Sequence, residues 1–252
     1  MRLDIFLTQN MSVRSRSKAR EMIEKSLVLV NGFAASKPSY EVKEKDVVAI
    51  SEDLKFVSKG GDKLERGIAA FSYDVSGKTF IDVGASNGGF TDCLLQRGAK
   101  KVYCVDVGEN LLDEKLQNDE RVVVMDRTNG KDLKKETFAE SELFAVSDVS
   151  FISVEQIIPP LSAIVEEMIL LIKPQFVCGK KALNKNGIVT DDKNRLSAVL
   201  KVNAALNAVG FHMNDFVVGA SGKNKNTEYI CLSTKKKGLS EEEILRKFSE
   251  LK

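Results

Sequence analysis

Six charged side chains lie beside apolar stretches or a glycine-rich turn in this 252-residue chain: Lys63, Asp82, Asp106, Asp148, Lys173 and Glu228. Lys173 directly follows the apolar run Ile-Leu-Leu-Ile, although lysine is among the side chains least often fully buried. In open α/β sheets, ligands bind outside the carboxyl ends of the strands. Polar side chains at such ends are therefore candidates for one shared site.

Two lysines and two carboxylates at one site could hold or transfer a proton. A lysine can accept or orient such a proton if burial and a second lysine lower its pKa. Nearby carboxylates oppose that fall, but they hold the ammonium groups in place. Lys173 is therefore a candidate for either of two roles, a base or a group that orients a hydroxyl. Lys63 would be the second lysine, and Asp148 and Glu228 would be the carboxylates.

These residues must be positioned by an α/β domain. The stretch KTFIDVGASNGGFTDCLLQRGAKKVYCVDVG predicts strand, glycine-rich turn, helix, turn and strand, the first unit of a doubly wound sheet. Gly84 permits a tight turn, and Gly88 with Gly89 lets backbone approach a ligand at the helix N-terminus. Ser86 stands where a dinucleotide fingerprint needs glycine, which argues against NAD.

The pattern D-x-G-x-x-x-G-G, followed by an acid that closes the next strand, resembles the S-adenosylmethionine site of class I methyltransferases. The acid, Asp106, would hold the two hydroxyls of an adenosine ribose. The alternative to a cofactor site is a glycine-bearing turn that binds no cofactor. For Asp126, the alternative to a cofactor contact is a solvated acid in a loop. The resemblance implies S-adenosyl-L-methionine as cofactor and these contacts: Asp82, Gly84, Ala85, Ser86, Gly88, Gly89, Phe90, Asp106 and Asp126.

The N-terminal region is a separate basic module. Residues 1–37 hold seven Lys or Arg against three acids, a local net charge of +4, whereas the whole chain carries only +2. Two short helices, the second starting near Ser15 or Ser17, and a hairpin around Asn31-Gly32 are predicted.

The succession SRSKA…VLVNG…KP, with Ser26 in place of the usual glycine, resembles the alpha-L RNA-binding module named after ribosomal protein S-four. This resemblance implies that rRNA contacts come from the basic residues Arg14, Arg16, Lys18, Arg20 and Lys25.

Lys63, Asp148, Lys173 and Glu228 match, in order, the Lys-Asp-Lys-Glu tetrad of FtsJ-type ribose 2′-O-methyltransferases. The segments VSKGGDKLE, DRTN, SDVSFISV and LIKPQF resemble the TlyA (hemolysin A-like) rRNA 2′-O-methyltransferases. Members of that family modify cytidines of both ribosomal subunits or of the large one alone. Two places depart from the family pattern: Val177 replaces an acid, and the loop before Glu228, GASGKNKNTEY, is more basic than the commoner GPxGNxEY.

The resemblance and the composition together predict the following organisation. The fold class is α/β, a Rossmann-like class I methyltransferase fold with a mostly parallel sheet and an antiparallel edge hairpin, preceded by a small α+β RNA-binding domain. The boundaries are 1–50 for the RNA-binding domain, 51–58 for a linker and 59–252 for the methyltransferase domain. One histidine and four cysteines without CxxC spacing predict no metal site.

The absence of a long apolar run or signal-like segment predicts a cytoplasmic, membrane-free protein, which we expect to be a monomer bound to rRNA within ribosomal subunits. The alternative is a non-catalytic ribosome-assembly protein on the same fold. The hemolysin name suggests a membrane-lytic protein. The sequence does not support this function, because it predicts no long amphipathic basic helix.

Overall fold

The computed structural model describes residues 1–24, 27–35, 37–50 and 55–251. The chain divides into two compact units, Met1–Lys59 and Gly60–Lys252. Of the linker predicted at 51–58, residues 51–54 lie outside the described residues. The three-part division therefore stays a prediction.

The first unit contains two helices and a three-stranded antiparallel sheet: α1 (Leu3–Asn10), α2 (Arg16–Glu24), β1 (Val28–Val30), β2 (Phe33–Ala34) and β3 (Val48–Ile50). The hydroxyl oxygen of Ser15 accepts a hydrogen bond from the backbone N–H of Lys18 at 3.1 Å, so Ser15 caps α2. Asn31 and Gly32 have φ values of 53° and 78°, the left-handed pair that turns β1 into β2.

The second unit is larger. Its helices are α3 (Lys59–Phe71), α4 (Gly89–Gln96), α5 (Glu114–Gln117), α6 (Ile158–Ser162), α7 (Pro174–Val177), α8 (Asp192–Ala208) and α9 (Glu241–Glu250). Its strands are β4 (Thr79–Val83), β5 (Lys101–Val105), β6 (Val122–Met125), β7 (Phe144–Ser147), β8 (Glu167–Ile172), β9 (His212–Ala220) and β10 (Glu228–Thr234). Short 3₁₀ turns lie at Gly130–Asp132, Lys135–Thr137, Val154–Gln156 and Lys180–Ala182.

The seven strands form one sheet in the order β6-β5-β4-β7-β8-β10-β9. The first five are parallel to one another, and the hairpin β9–β10 adds two antiparallel strands beside β8. Every residue of β4 and β7 is buried, because these strands lie in the middle of the sheet. The predicted mostly parallel sheet with an antiparallel edge hairpin is confirmed.

The helix α8 packs on this sheet through a face that differs slightly from the predicted one. The spacing of apolar residues in DDKNRLSAVLKVNAALNAVG predicts a buried face of Leu196, Val199, Leu200, Ala204 and Leu206, but the buried residues are Ala198, Val199, Val202, Asn203 and Leu206. Ala204 is exposed. It lies about 200° around the helix from Val202, since each residue turns the helix by 100°.

Strand direction brings distant residues to one edge of the sheet. The carboxyl ends of β4, β5, β7 and β8 meet at that edge because these strands are parallel. The antiparallel β10 reaches the same edge with its first residues, since Tyr229 pairs with Ile172. Glu228, one residue earlier, therefore lies next to Lys173, one residue after the end of β8.

Candidate active site

Four charged side chains converge at this edge. The side-chain nitrogen of Lys173 lies 2.5 Å from Oδ1 of Asp148, and that of Lys63 lies 2.8 Å from Oε2 of Glu228. Lys63 also lies 3.6 Å from Oδ2 of Asp148. Asp148 therefore links the two lysines, although Lys63 comes from α3 and Lys173 from the end of β8.

Two neutral side chains complete the network. Lys173 donates a hydrogen bond to the hydroxyl oxygen of Ser150 at 2.7 Å, and it contacts the carbonyl oxygen of Asp148 at 3.3 Å. The amide nitrogen of Gln175 donates to Oε1 of Glu228 at 2.9 Å. Sequence reasoning missed Ser150 and Gln175 as site residues, although both lie in the quoted segments SDVSFISV and LIKPQF.

Burial and charge act in opposite directions on Lys63. Its burial lowers its pKa, but the carboxylates of Asp148 and Glu228 raise it by more, so the net pKa is above the ordinary lysine value. Lys63 therefore stays an ammonium ion that holds the two carboxylates. The side chain of Lys173 is only 8% exposed, so this lysine lies almost wholly within the protein.

A cavity of about 470 Å³ borders this cluster. Its wall includes Val83 and Gly84 after β4, Asp106 after β5, and Asp148 after β7. This volume is in the range of small-molecule sites, about 300–1,000 Å³. Because Asp148 belongs both to the charged cluster and to the wall, a ligand in the cavity lies beside the two lysines.

Asp106 is held rigidly in the wall. Its Oδ2 accepts the backbone N–H of Ser86 at 2.9 Å, and its Oδ1 accepts the backbone N–H of Gly108 at 2.8 Å. Each carboxylate oxygen has a further lone pair. The fixed acid can therefore accept two more hydrogen bonds, as a vicinal diol requires.

Comparison with known proteins assigns this arrangement to a family. The FtsJ-like methyltransferase model matches residues 56–235, and the S4 domain model matches residues 1–48. This chain belongs to the FtsJ-like methyltransferase family. The resemblance inferred from the motifs is confirmed, and so is the predicted methyltransferase fold class.

Individual relatives show that this chain belongs to the hemolysin A-like (TlyA) branch of the family. Hemolysin A of Brachyspira hyodysenteriae is 39% identical over 236 residues, which cover 92% of this chain and 98% of that protein. The 16S/23S rRNA (cytidine-2′-O)-methyltransferase TlyA of Mycobacterium tuberculosis is 36% identical over 237 residues, 91% and 88% of the two chains. A solved hemolysin-type structure from Streptococcus thermophilus has a TM-score of 0.73 at 33% identity, covering 99% of this chain and 96% of its own.

The glycine-rich turn of this FtsJ-like methyltransferase brings only part of the predicted cofactor set to the cavity. Gly84, Ser86 and Asp106 line it. A Cβ atom at Gly84 would lie 3.1 Å from the backbone of Val149, so a side chain here would press on the neighbouring wall. The other six predicted residues are not among those that line the cavity: Asp82, Ala85, Gly88, Gly89, Phe90 and Asp126.

Asp82 lies beneath the turn and is fully buried. Its Oδ2 accepts a hydrogen bond from the hydroxyl of Thr91 at 2.7 Å, in the first turn of α4. Gly88, the N-cap of α4, offers no capping side chain, and Asp82 accepts a hydrogen bond from the backbone N–H of Thr91 instead. Burial is the main cause that raises the pKa of Asp82 to about 7.

Asp126 is engaged outside the cavity wall. Its Oδ2 accepts the backbone N–H of Asn110 at 3.0 Å and so ties together the loops after β5 and β6. Neighbouring residues reach the cavity instead, and sequence reasoning missed them: Val107, Leu111, Thr128, Asn129, Phe151 and Ile152. The segments DRTN and SDVSFISV pointed to these loops, but a motif does not say which of its side chains faces the ligand.

The basic residues of the S4 unit are arranged around one buried acid. The carboxylate of Asp4 accepts hydrogen bonds from Arg2 at 3.0 Å, Arg16 at 2.9 Å and Arg20 at 3.3 Å. The hydrogen bond from Arg2 is the main cause that holds the pKa of Asp4 well below its usual range. This cluster of three half-exposed guanidinium groups around one acid carries a net charge of +2.

The other predicted RNA-binding residues lie elsewhere. Lys18 pairs with Glu21 at 3.0 Å, and Arg14 is exposed beside α2. Lys25 lies outside the described residues.

Within residues 1–24, 27–35, 37–50 and 55–251, no helix is long and apolar enough to cross a membrane. The same part of the chain holds no group of three or more His, Cys, Asp or Glu that could bind a metal ion.

Proposed function

We propose that this protein transfers a methyl group from S-adenosylmethionine to the ribose 2′-hydroxyl of a cytidine in ribosomal RNA. The observation that carries the proposal is the linked cluster of Lys63, Asp148, Lys173 and Glu228 at the border of the cavity. Its relative in M. tuberculosis is named for this reaction on 16S and 23S rRNA. A family member with the complete tetrad is expected to keep the chemistry.

The cavity fits the cofactor. Asp106, oriented by two backbone N–H groups, would accept the two ribose hydroxyls of the adenosine, and Val83, Val105 and Val107 offer apolar surface for a nucleobase. Gly84 leaves room where a side chain would press on Val149. When bound, the cofactor would supply a sulfonium methyl group, so that a C–O bond forms, the S–C bond breaks with its electron pair left on sulfur, and the hydroxyl proton passes to water.

The chain's own residues position the acceptor. Lys173, held by the carboxylate of Asp148 and by Ser150, would exchange its long 3.3 Å contact with the carbonyl oxygen of Asp148 for a hydrogen bond to the 2′-oxygen and stabilise the negative charge that develops there. Lys63 keeps Asp148 and Glu228 in place and adds a second positive charge. Methyl transfer is an in-line displacement, so such positioning supplies much of the rate acceleration.

The S4 unit would bind the substrate. Its arginine cluster around Asp4 suits phosphate oxygens, because guanidinium groups bind them in pairs of hydrogen bonds. We propose that Arg14, Arg16, Lys18, Arg20 and Lys25 contribute to rRNA binding, that the protein acts as a monomer on ribosomal subunits, and that it works in the cytoplasm, where its substrate is.

The test is a methyl-transfer assay. Purified protein, tritiated S-adenosylmethionine and ribosomal subunits from cells lacking the gene should give labelled rRNA, and the label should map to the 2′-oxygen of a cytidine. Binding to subunits without any transfer would instead identify a non-catalytic assembly protein. Label on a base rather than on a ribose would contradict the proposed use of the lysine cluster.

A further inference from the structure

Two loops next to the charged cluster carry an unusual concentration of lysine. Residues 179–189, GKKALNKNGIV, and residues 221–227, SGKNKNT, hold five lysines and no acidic residue. The whole chain has a net charge of only +2. We call these five residues the lysine rim: Lys180, Lys181, Lys185, Lys223 and Lys225.

Both loops lie close in sequence to residues of the cluster. The second loop leads directly into Glu228, so Lys225 is three Cα–Cα steps, at most about 11 Å, from it. The first loop follows α7, which begins immediately after Lys173. The hydrogen bond from Gln175 to Glu228 joins the segment just before the first loop to the residue just after the second loop.

The loops are also joined to each other. The side chain of Asn226 accepts the backbone N–H of Val189 at 2.8 Å and donates to the carbonyl oxygen of Gly187 at 3.0 Å. Within the first loop, the side chain of Asn184 accepts the N–H groups of Asn186 and Ile188. The two loops therefore present their lysines as one hydrogen-bonded surface.

The charges of this surface are available. All five lysines are exposed, and none forms an ion pair with another residue in the described part of the chain. The acids that follow the first loop are engaged elsewhere. Asp191 caps α8, and Asp192 pairs with Arg195 at 3.0 Å.

We propose that the lysine rim binds backbone phosphates of the RNA strand on either side of the acceptor nucleotide. The inference rests on the proposed function: an RNA strand whose ribose reaches Lys173 must cross the adjoining surface, and that surface is positive. Phosphate contacts fix register without reading sequence. The methyltransferase unit thus holds its target strand itself, in addition to any grip by the S4 unit. Lys223 and Lys225 lie in the loop that departs from the common family pattern.

The experiment compares two charge-matched double variants of the full chain. Lys223→Gln with Lys225→Gln removes two charges from the rim. Lys236→Gln with Lys237→Gln removes two exposed charges beyond Thr234, the opposite end of β10, about 20 Å away. Filter binding to unmodified ribosomal subunits is measured over a series of salt concentrations, together with kcat, KM for subunits and cofactor affinity.

For the rim variant we expect weaker binding to subunits, by about 2- to 30-fold, as loss of two exposed ion pairs implies. The slope of log affinity against log salt should fall by about 1 per lysine. KM should rise, while cofactor affinity, melting temperature and kcat at saturating substrate stay at wild-type values. The control variant should match the wild type in each measurement.

An unchanged salt slope and KM in the rim variant, or an equal change in the control, would overturn the proposal. The binding slope needs no catalysis, so it decides on the rim even if the wild type transfers no methyl group. A wild-type protein that transfers no methyl group would count against the proposed function alone.

Discussion

The carboxylate of Asp148 lies 2.5 Å from the side-chain nitrogen of Lys173, at the point where β7 and β8 deliver the two residues to the same edge of the sheet. A lysine at the end of a buried strand is thereby matched with an acid at the end of the neighbouring strand. From this pair we predict how substitution of Lys173 changes kcat.

Lys173→Met should lower kcat for methyl transfer by about 10²- to 10³-fold, the usual cost of removing one donor that stabilises charge in the transition state. Methionine keeps most of the volume and leaves Asp148 next to Lys63, so folding and cofactor affinity should be preserved. Single-turnover transfer to ribosomal subunits and calorimetric cofactor binding measure the two effects. Lys236→Met, an exposed lysine far from the cluster, is the control. A wild-type rate in Lys173→Met would remove Lys173 from the mechanism.

Asp82 predicts a pH dependence of stability. Burial raises its folded-state pKa to about 7 from an ordinary value of 3.8, so between about pH 4 and pH 7 the folded chain holds a proton that the unfolded chain releases. Stability from this group therefore falls as the pH rises through that window. Asp82→Asn cannot titrate, and it should match the wild type near pH 4 but exceed it by up to about 4 kcal/mol at pH 8.

Urea unfolding at several pH values measures this effect. Asp132→Asn, which changes an exposed acid, should leave the wild-type pH dependence intact. If the Asp82→Asn and wild-type curves stay parallel from pH 4 to pH 8, Asp82 is not the group responsible.

Asp4 predicts the opposite sign. Its folded-state pKa is depressed, chiefly by the hydrogen bond from Arg2, so its contribution to stability is present above about pH 4 and is lost as the pH falls further. Asp4→Asn should destabilise the S4 unit by about 1–3 kcal/mol at pH 7, the range for hydrogen bonds to a charged group. Hydrogen exchange of the amides in α1 and α2 reports this locally. Glu44→Gln, at an exposed position, should exchange like the wild type.

Gly88 and Gly77 form a natural pair for testing the glycine-rich turn. Both have positive φ, 89° and 71°, so alanine at either should cost about 1–2 kcal/mol of backbone strain. A Cβ atom at Gly88 would also clash with Leu112 and Leu116, whereas nothing lies within 4 Å at Gly77. Gly88→Ala should therefore lose about 1–3 kcal/mol more and should weaken cofactor binding, while Gly77→Ala keeps wild-type cofactor affinity. Equal losses in the two variants would show that the clash is relieved by movement.

The fold was largely predictable because its signals are local. The Asn31-Gly32 turn and the strand–glycine–helix pattern before Asp106 each depend on residues close in sequence, and each appears as expected. The four tetrad residues could be selected because they follow strands or match a family motif. That they catalyse methyl transfer stays a prediction.

What sequence could not indicate depends on contacts between distant residues. Asp4 stands among apolar residues of α1, and only the packing of α1 against α2 brings arginines 12 and 16 positions later to it. The motif predicts Asp82 as a ligand contact, but its carboxylate accepts a hydrogen bond from Thr91, nine residues later in α4. Periodicity alone likewise misplaced Ala204 on the buried face of α8.

The pairing of β10 with β8 has a consequence for the order in which the protein matures. Glu228 reaches Lys63, 165 positions earlier in the chain, only after the last hairpin has inserted beside β8 in the correct register. A slip of one residue would turn the alternating side chains of β10 to the opposite face. During synthesis Lys63, Asp148 and Lys173 are present long before Glu228 is added. Lys63 therefore gains its nearer carboxylate partner, at 2.8 Å, only once β10 has been synthesised and paired, and a chain that ends before Glu228 would leave it with Asp148, the partner at 3.6 Å.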